Sequence, residues 1–200
     1  MITSYKELRY YLHNDKINSE FDSKLYRLFF PNPIWRFIIT LRVLEYLVNT
    51  SNKPFIGWIK RFLSLFFRIR FRRISLRLGF SIPINCLGPG VSLPHYGTII
   101  INPNVRIGAN CRIHTCVNIG ASGGSSNTPI IGDNVYIGPG AILFGHIQIA
   151  DNVTIGANAT VNKSFLTPNC TIAGTPASIV KTNTVSWYDS KLKMKKSLEV

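Results

Sequence analysis

From residue 97 to 163 an aliphatic residue followed by a small one returns every six positions. The pairs run Ile107-Gly108, Ile113-His114 and Ile119-Gly120, then Ile131-Gly132, Ile137-Gly138, Leu143-Phe144, Ile149-Ala150, Ile155-Gly156 and Val161-Asn162. A second column leads the first by two places: Val105, Cys111, Val117, Val135, Ala141, Ile147, Val153 and Ala159. Helices repeat at 3.6 residues and strands at 2.0, so a strict six suits neither alone. It suits a solenoid in which each six-residue unit makes one flat wall and a corner, the aliphatic residue pointing inward. Three walls then close one triangular turn.

The chain has 200 residues, 46% hydrophobic and 16% charged, enough apolar matter for a sizeable core. The net charge is +14, and no Asp or Glu occurs between Glu45 and Asp133. That imbalance favours an anionic partner: nucleic acid, a membrane surface, or a phosphate-bearing substrate or cofactor. No helix-turn-helix, RNA-binding aromatic signature or zinc finger accompanies the charge, so nucleic acid is not expected. Cys86, Cys111, Cys116 and Cys170 form no C-x-x-C pair, and no metal is expected. Cys111 falls on the inward column and reads as a small core residue. The N-terminus lacks a basic-then-apolar signal segment, and residues 78–105, although uncharged, are punctured by Gly, Pro, Asn and His. A reducing, cytoplasmic setting is expected.

Three parts follow. Residues 1–77 read as helical, with one helix starting at Pro33 and a second segment from Pro54 that mixes aromatic and basic residues. That second segment, 54–77, has two readings. The preferred one packs it on the solenoid with its arginines reaching into water; the other lays it on an anionic membrane face. Residues 78–181 form the solenoid, roughly five turns of three hexapeptides. It has two breaks: a frame slip between Leu93 and Val105, and an excursion over 120–130 with no inward aliphatic residue. Residues 182–200 read as a short basic helix or tail.

Few residues offer chemistry. His95, in Leu93-Pro94-His95-Tyr96-Gly97-Thr98, lies inside the first break, and the two registers disagree on whether it points in or out. An imidazole there suits proton removal from a hydroxyl, or a structural role at a corner. His114 follows nineteen residues later, about one turn on, as a residue for acceptor binding or acid/base work or, preferred, as a corner residue bonded to backbone. His146 and His13 read as structural or surface residues.

The hexapeptides, the Gly88-Pro89-Gly90 run into the His95 turn, and the ending Ala173-Gly174-Thr175-Pro176-Ala177-Ser178-Ile179-Val180-Lys181 together resemble hexapeptide-repeat acyltransferases. The branch is the serine acetyltransferase-like one, which includes capsular and exopolysaccharide O-acetyltransferases. The resemblance implies a mainly β fold, a left-handed parallel β-helix, assembled as a homotrimer with sites between subunits. It implies acetyl-CoA as co-substrate and His95 as the general base of a direct transfer. Gly138, Gly156 and Ala157 would lie against the pantetheine arm, and Lys163 and Lys181 near the CoA phosphates.

The chain departs from serine acetyltransferases in three places. Pro94 replaces the Asp before the catalytic His, and Ser126-Asn127-Thr128-Pro129 replaces an Asp-Arg-His-Pro run that helps hold serine. Phe80-Ser81-Ile82-Pro83 stands where an Asp supports the base. These losses direct the expectation toward a saccharide hydroxyl in surface polysaccharide synthesis, with His114, Asn127 and Thr128 at the acceptor and the enzyme cytoplasmic or at the inner membrane face. What orients His95 in place of the Asp stays open, and a backbone carbonyl would serve. The alternatives are serine O-acetyl transfer in cysteine biosynthesis and a binding scaffold without catalysis.

Overall fold

The computed structural model describes residues 1–19, 32–51 and 57–198. Helix α1, Tyr5–Asn18, opens on a capping box: Ser4 Oγ accepts from Glu7 N (3.2 Å) and the Glu7 carboxylate accepts from Ser4 N (3.0 Å). Helix α2, Pro33–Asn49, starts with proline in its first turn, where no N–H is needed, and Asn32 Oδ1 accepts from Ile34 N and Trp35 N. Its apolar residues cover more than one face because it is packed on two sides. Phe37 stacks on Phe71 of helix α3, Gly57–Leu78, at 5.3 Å and meets Phe80 of the strand region edge-on at 5.1 Å. The start of the aromatic-basic segment, at Pro54 and Phe55, lies outside the described residues.

Among the described residues thirteen short strands make three sheets. The first wall holds β1 (Phe80–Ser81), β2 (Ile99–Ile101), β5 (Val117–Gly120), β8 (Ile142–Phe144) and β11 (Thr160–Val161). The second holds β3 (Arg106–Ile107), β6 (Ile130–Ile131) and β9 (Gln148–Ile149). The third holds β4 (Arg112–Ile113), β7 (Tyr136–Ile137), β10 (Thr154–Ile155), β12 (Thr171–Ala173) and β13 (Ser178–Lys181). From β2 to β10 the chain visits the walls in strict rotation, and each strand pairs in parallel with the one laid down a circuit earlier. The hexapeptide reading of three walls is met in these pairings. Ile113, Ile137 and Ile155 stack in one fully buried column, and Cys111 is buried with them. Burial pushes the Cys111 thiol up to about 12, which suits a core residue and not a nucleophile.

Corners carry the backbone reversals. Between the second and third walls Asn110, Asn134, Asn152 and Asn169 all adopt positive φ, a conformation Asn tolerates better than most residues. Three of their side chains form a ladder: Asn110 Nδ2 donates to Asn134 Oδ1 (3.1 Å) and Asn134 Nδ2 to Asn152 Oδ1 (2.9 Å). Asn18 of α1 caps it by donating to Asn110 Oδ1 (3.1 Å). Gly108 on the same corner is forced by close approach, since a Cβ there would lie 2.6 Å from the Gly132 carbonyl.

The helical region shares its core with the strands; Ile34, Phe37 and Leu41 belong to the same cluster as Phe80, Ile82 and Leu87. A buried ionic knot adds to this. Arg42 donates to Asp15 (2.8 Å) and Glu45 (3.0 Å), and to the carbonyls of Leu87 and Gly88. Asp15 also accepts from the amides of Gly90 and Val91. One point differs from the expected turn count: β13 runs antiparallel to β12, so residues 178–181 close the end of the third wall instead of starting another circuit. The basic C-terminus forms helix α4, Trp187–Leu198, whose Lys191 and Lys195 donate to the carbonyls of Asn18 and Ile17 at the end of α1. Among the described residues no helix is long and apolar enough to cross a membrane.

Candidate active site

The frame slip has a definite place. From the third wall back to the first, three residues bridge Ile113 to Val117, Ile137 to Ala141 and Ile155 to Ala159, while five bridge Leu93 to Ile99. The two extra residues bulge Pro94-His95-Tyr96-Gly97-Thr98 outward and leave His95 exposed. This decides between the two registers: the imidazole faces out. Gly97, at φ 143°, permits the tight return.

One circuit on, His114 occupies the same corner, its ring centroid 5.8 Å from that of His95 and 4.9 Å from Tyr136. Arg112 Nε lies 3.4 Å from His114 Nε2 as donor. The Arg112 guanidinium also stands 5.6 Å from the Trp187 ring of α4. Between α4 and the third wall a cavity of about 350 Å³ is lined by Arg112, His114, Tyr136, Trp187 and Lys191. A smaller recess of about 100 Å³ lies beside His95 and reaches Ser92 and Arg112. Among the described residues His95 has a ring neighbour and no hydrogen-bond partner.

The other expected residues divide between two edges. Gly138, Gly156 and Ala157 lie on the His95–His114 edge, at the corners that follow β7 and β10. A Cβ on Gly138 would come 2.8 Å from Ala157 N, so the stacking of circuits already demands glycine there. Asn127, Thr128 and Lys163 lie on the next edge, between the first and second walls. Asn127 is exposed and donates its amide to Ser125 Oγ (3.0 Å), whereas Thr128 is 8% exposed. Lys163 projects over the Phe165 ring at 5.6 Å. Lys181 is exposed on β13 at the end of the third wall. His146 and His13 are exposed. Among the described residues no three His, Cys, Asp or Glu side chains gather as a metal site would require.

Arg112, Tyr136 and Trp187 were not singled out by sequence. Arg112 and Tyr136 hold the same outward position on successive strands, since β4 pairs with β7 residue for residue. The excursion had hidden that equivalence by lengthening the spacing.

Residues 128–163 match the family model of bacterial transferase hexapeptide repeats, six of them. The chain carries that repeat. A serine acetyltransferase of Buchnera aphidicola subsp. Acyrthosiphon pisum is 33% identical over 157 residues, 76% of this chain and 53% of its own. Soybean serine acetyltransferase apoenzyme superposes with a TM-score of 0.67 at 25% identity, covering 88% of this chain and 69% of that one. The serine acetyltransferase of Brucella abortus strain S19 in complex with coenzyme A superposes at 0.65 with 23% identity, over 90% of this chain and 68% of that one. The chain spans 39% to 53% of the lengths of the curated relatives it resembles.

These relatives overturn the expected saccharide acceptor, because the sequence and structural likenesses alike are to serine acetyltransferases. The expectation rested on groups missing from Ser126-Asn127-Thr128-Pro129. That segment lies on a different edge from His95, so within one chain it does not determine what surrounds the imidazole.

Proposed function

We propose that this chain transfers an acetyl group from acetyl-CoA to the hydroxyl of serine, using His95 as general base. The observation that carries the reading is the five-residue corner, which projects His95 from an otherwise regular edge beside His114. In this mechanism the imidazole takes the hydroxyl proton as the serine oxygen bonds to the thioester carbonyl carbon. The tetrahedral oxyanion collapses, the carbon–sulfur bond breaks, and the departing CoA sulfur recovers the proton from the imidazolium. Ester and free thiol are the products.

Arg112, in contact with His114, is the cation placed to meet the serine carboxylate in the absence of an Arg in the excursion. The edge of Gly138, Gly156 and Ala157 suits an extended pantetheine arm, with Lys181 at the end of the third wall for the phosphates and Lys163, on the other edge, meeting them from a neighbouring subunit. A left-handed β-helix assembled as a trimer would set one subunit's excursion edge, with Asn127 and Thr128, against its neighbour's histidine edge. Two halves of the site on separate edges of one chain support that assembly. Use of acetyl-CoA is consistent with the expected cytoplasmic setting.

The test is thiol release by purified protein given acetyl-CoA and L-serine. Turnover that requires serine is the expected result; binding of acetyl-CoA without serine-dependent release would reject the acceptor. Direct transfer also makes a thiol nucleophile unnecessary. Cys116 is exposed, whereas Cys86 and Cys111 are buried with their thiols pushed up to about 12. Cys116→Ser is therefore expected to keep activity within about twofold. A burst of acyl-enzyme lost in that variant would contradict direct transfer.

A further inference from the structure

Helix α3 buries only one side. Phe71, stacked on Phe37, and Ile74 pack inward; Lys60 and Arg70 reach α2 by donating to Thr50 Oγ1 (2.8 Å) and Thr40 Oγ1 (3.3 Å). The opposite side is apolar and open. Trp58, Phe62, Leu65, Ile69 and Leu76 recur at the spacing of one helical face. Trp58 is 71% exposed, Phe62 73% and Leu76 74%. Isolated exposed apolar residues are ordinary, but four on successive turns from Trp58 to Ile69, with Leu76 two turns further on past Arg72 and Arg73, form an interaction surface.

Cations border this row on both flanks. At 100° per residue, Arg61, Arg68 and Arg72 fall along one side, and Arg73 and Arg77 along the other, and all five are exposed. The helix has no carboxylate, and none follows until Asp133.

We infer that α3 is a docking surface for an anionic phospholipid bilayer, lying flat with its apolar row among the acyl chains. The arrangement of charge selects this occupant. A second copy of the same face would bring arginines against arginines with no acid to neutralise them. A nucleic acid would be met by cations at the centre of the surface with the apolar groups at its margin, the reverse of what α3 presents. A bilayer takes the apolar centre, and the flanking guanidinium groups reach up to headgroup phosphates. Helix α3 is about 33 Å long at the usual rise, yet too basic to cross, which leaves the in-plane orientation. The packing reading of this segment thus accounts for its inner side alone.

The inference is independent of the acetyl-transfer reading and is tested without it. Full-length protein is sedimented with vesicles of phosphatidylcholine, alone or with roughly 30% phosphatidylglycerol. Partition to the anionic vesicles that weakens with salt is expected. The triple variant Arg61→Gln, Arg68→Gln, Arg72→Gln should weaken it by ~10²-fold, and Trp58→Ser with Phe62→Ser by ~10-fold or more. Circular dichroism checks that each variant keeps its helices, and the arginine set leaves the apolar row intact. Absence of partition to anionic vesicles would overturn the proposal. So would RNA binding untouched by the Trp58→Ser and Phe62→Ser pair, or a dimer that this pair dissociates while vesicles go unbound.

Discussion

Replacing His95 with alanine is expected to lower kcat for acetyl transfer by ~10²- to 10⁴-fold, the usual contribution of a positioned general base. KM for acetyl-CoA should change little, because His95 stands at the outward bulge and Gly138, Gly156 and Ala157 lie on later circuits. The fold should be indifferent to the change. His95 is exposed, and Leu93 and Ile99, which flank its corner, keep their buried places whatever projects between them. A thermal melt that matches the parent beside a collapsed kcat is the predicted pair of readings. Activity within about fivefold of the parent would remove His95 from the role of base. His114→Ala is the comparison of choice: it deletes the neighbouring ring and the acceptor of the Arg112 hydrogen bond while sparing His95.

The largest effect on stability is expected at Arg42. Burial alone pulls its guanidinium pKa down, and Asp15 and Glu45 more than reverse that pull, leaving it above its ordinary range. Arg42→Ala strands two carboxylates, 0% and 1% exposed, beside two backbone carbonyls that also lose their donor. Breaking a buried pair from one side costs about 3–5 kcal/mol. The loss should appear in urea unfolding as a lowered midpoint with an unchanged slope. Because Asp15 additionally holds the Gly90 and Val91 amides, the damage should extend from α1 into the first corner of the strand region. A change below about 1 kcal/mol would show that α2 and the first circuit are held together by their apolar contact alone.

The six-residue period made the walls legible, because the inward position tolerates only apolar side chains of limited size. Ile113, Ile137 and Ile155 follow from that rule, as does Cys111. The first break was visible as a slip between Leu93 and Val105, but its resolution to the corner before Ile99 required knowing which strands pair. Periodicity says nothing about outward residues from different circuits, so Arg112 beside His114 and Tyr136 went unread. The Asp15–Arg42–Glu45 knot was equally hidden, since the partners Asp15 and Arg42 come from different helices and no repeat relates them. The acceptor was misread for a related reason. Missing residues at a motif report that one solution is absent, and they do not report which other side chains a folded edge supplies.

The corners differ in length while the walls do not, and this separates two kinds of change. Extra residues before Ile99 or between Gly120 and Ile130 are absorbed locally, and the next strand rejoins its partner in the same register. The walls act as a rail that resets phase at every pass. Chemistry mounted on a corner can thus be lengthened, shortened or exchanged as a cassette without re-solving the core. Grafting a foreign excursion between Gly120 and Ile130 should alter what the edge recognises while Ile119 and Ile131 stay where they are.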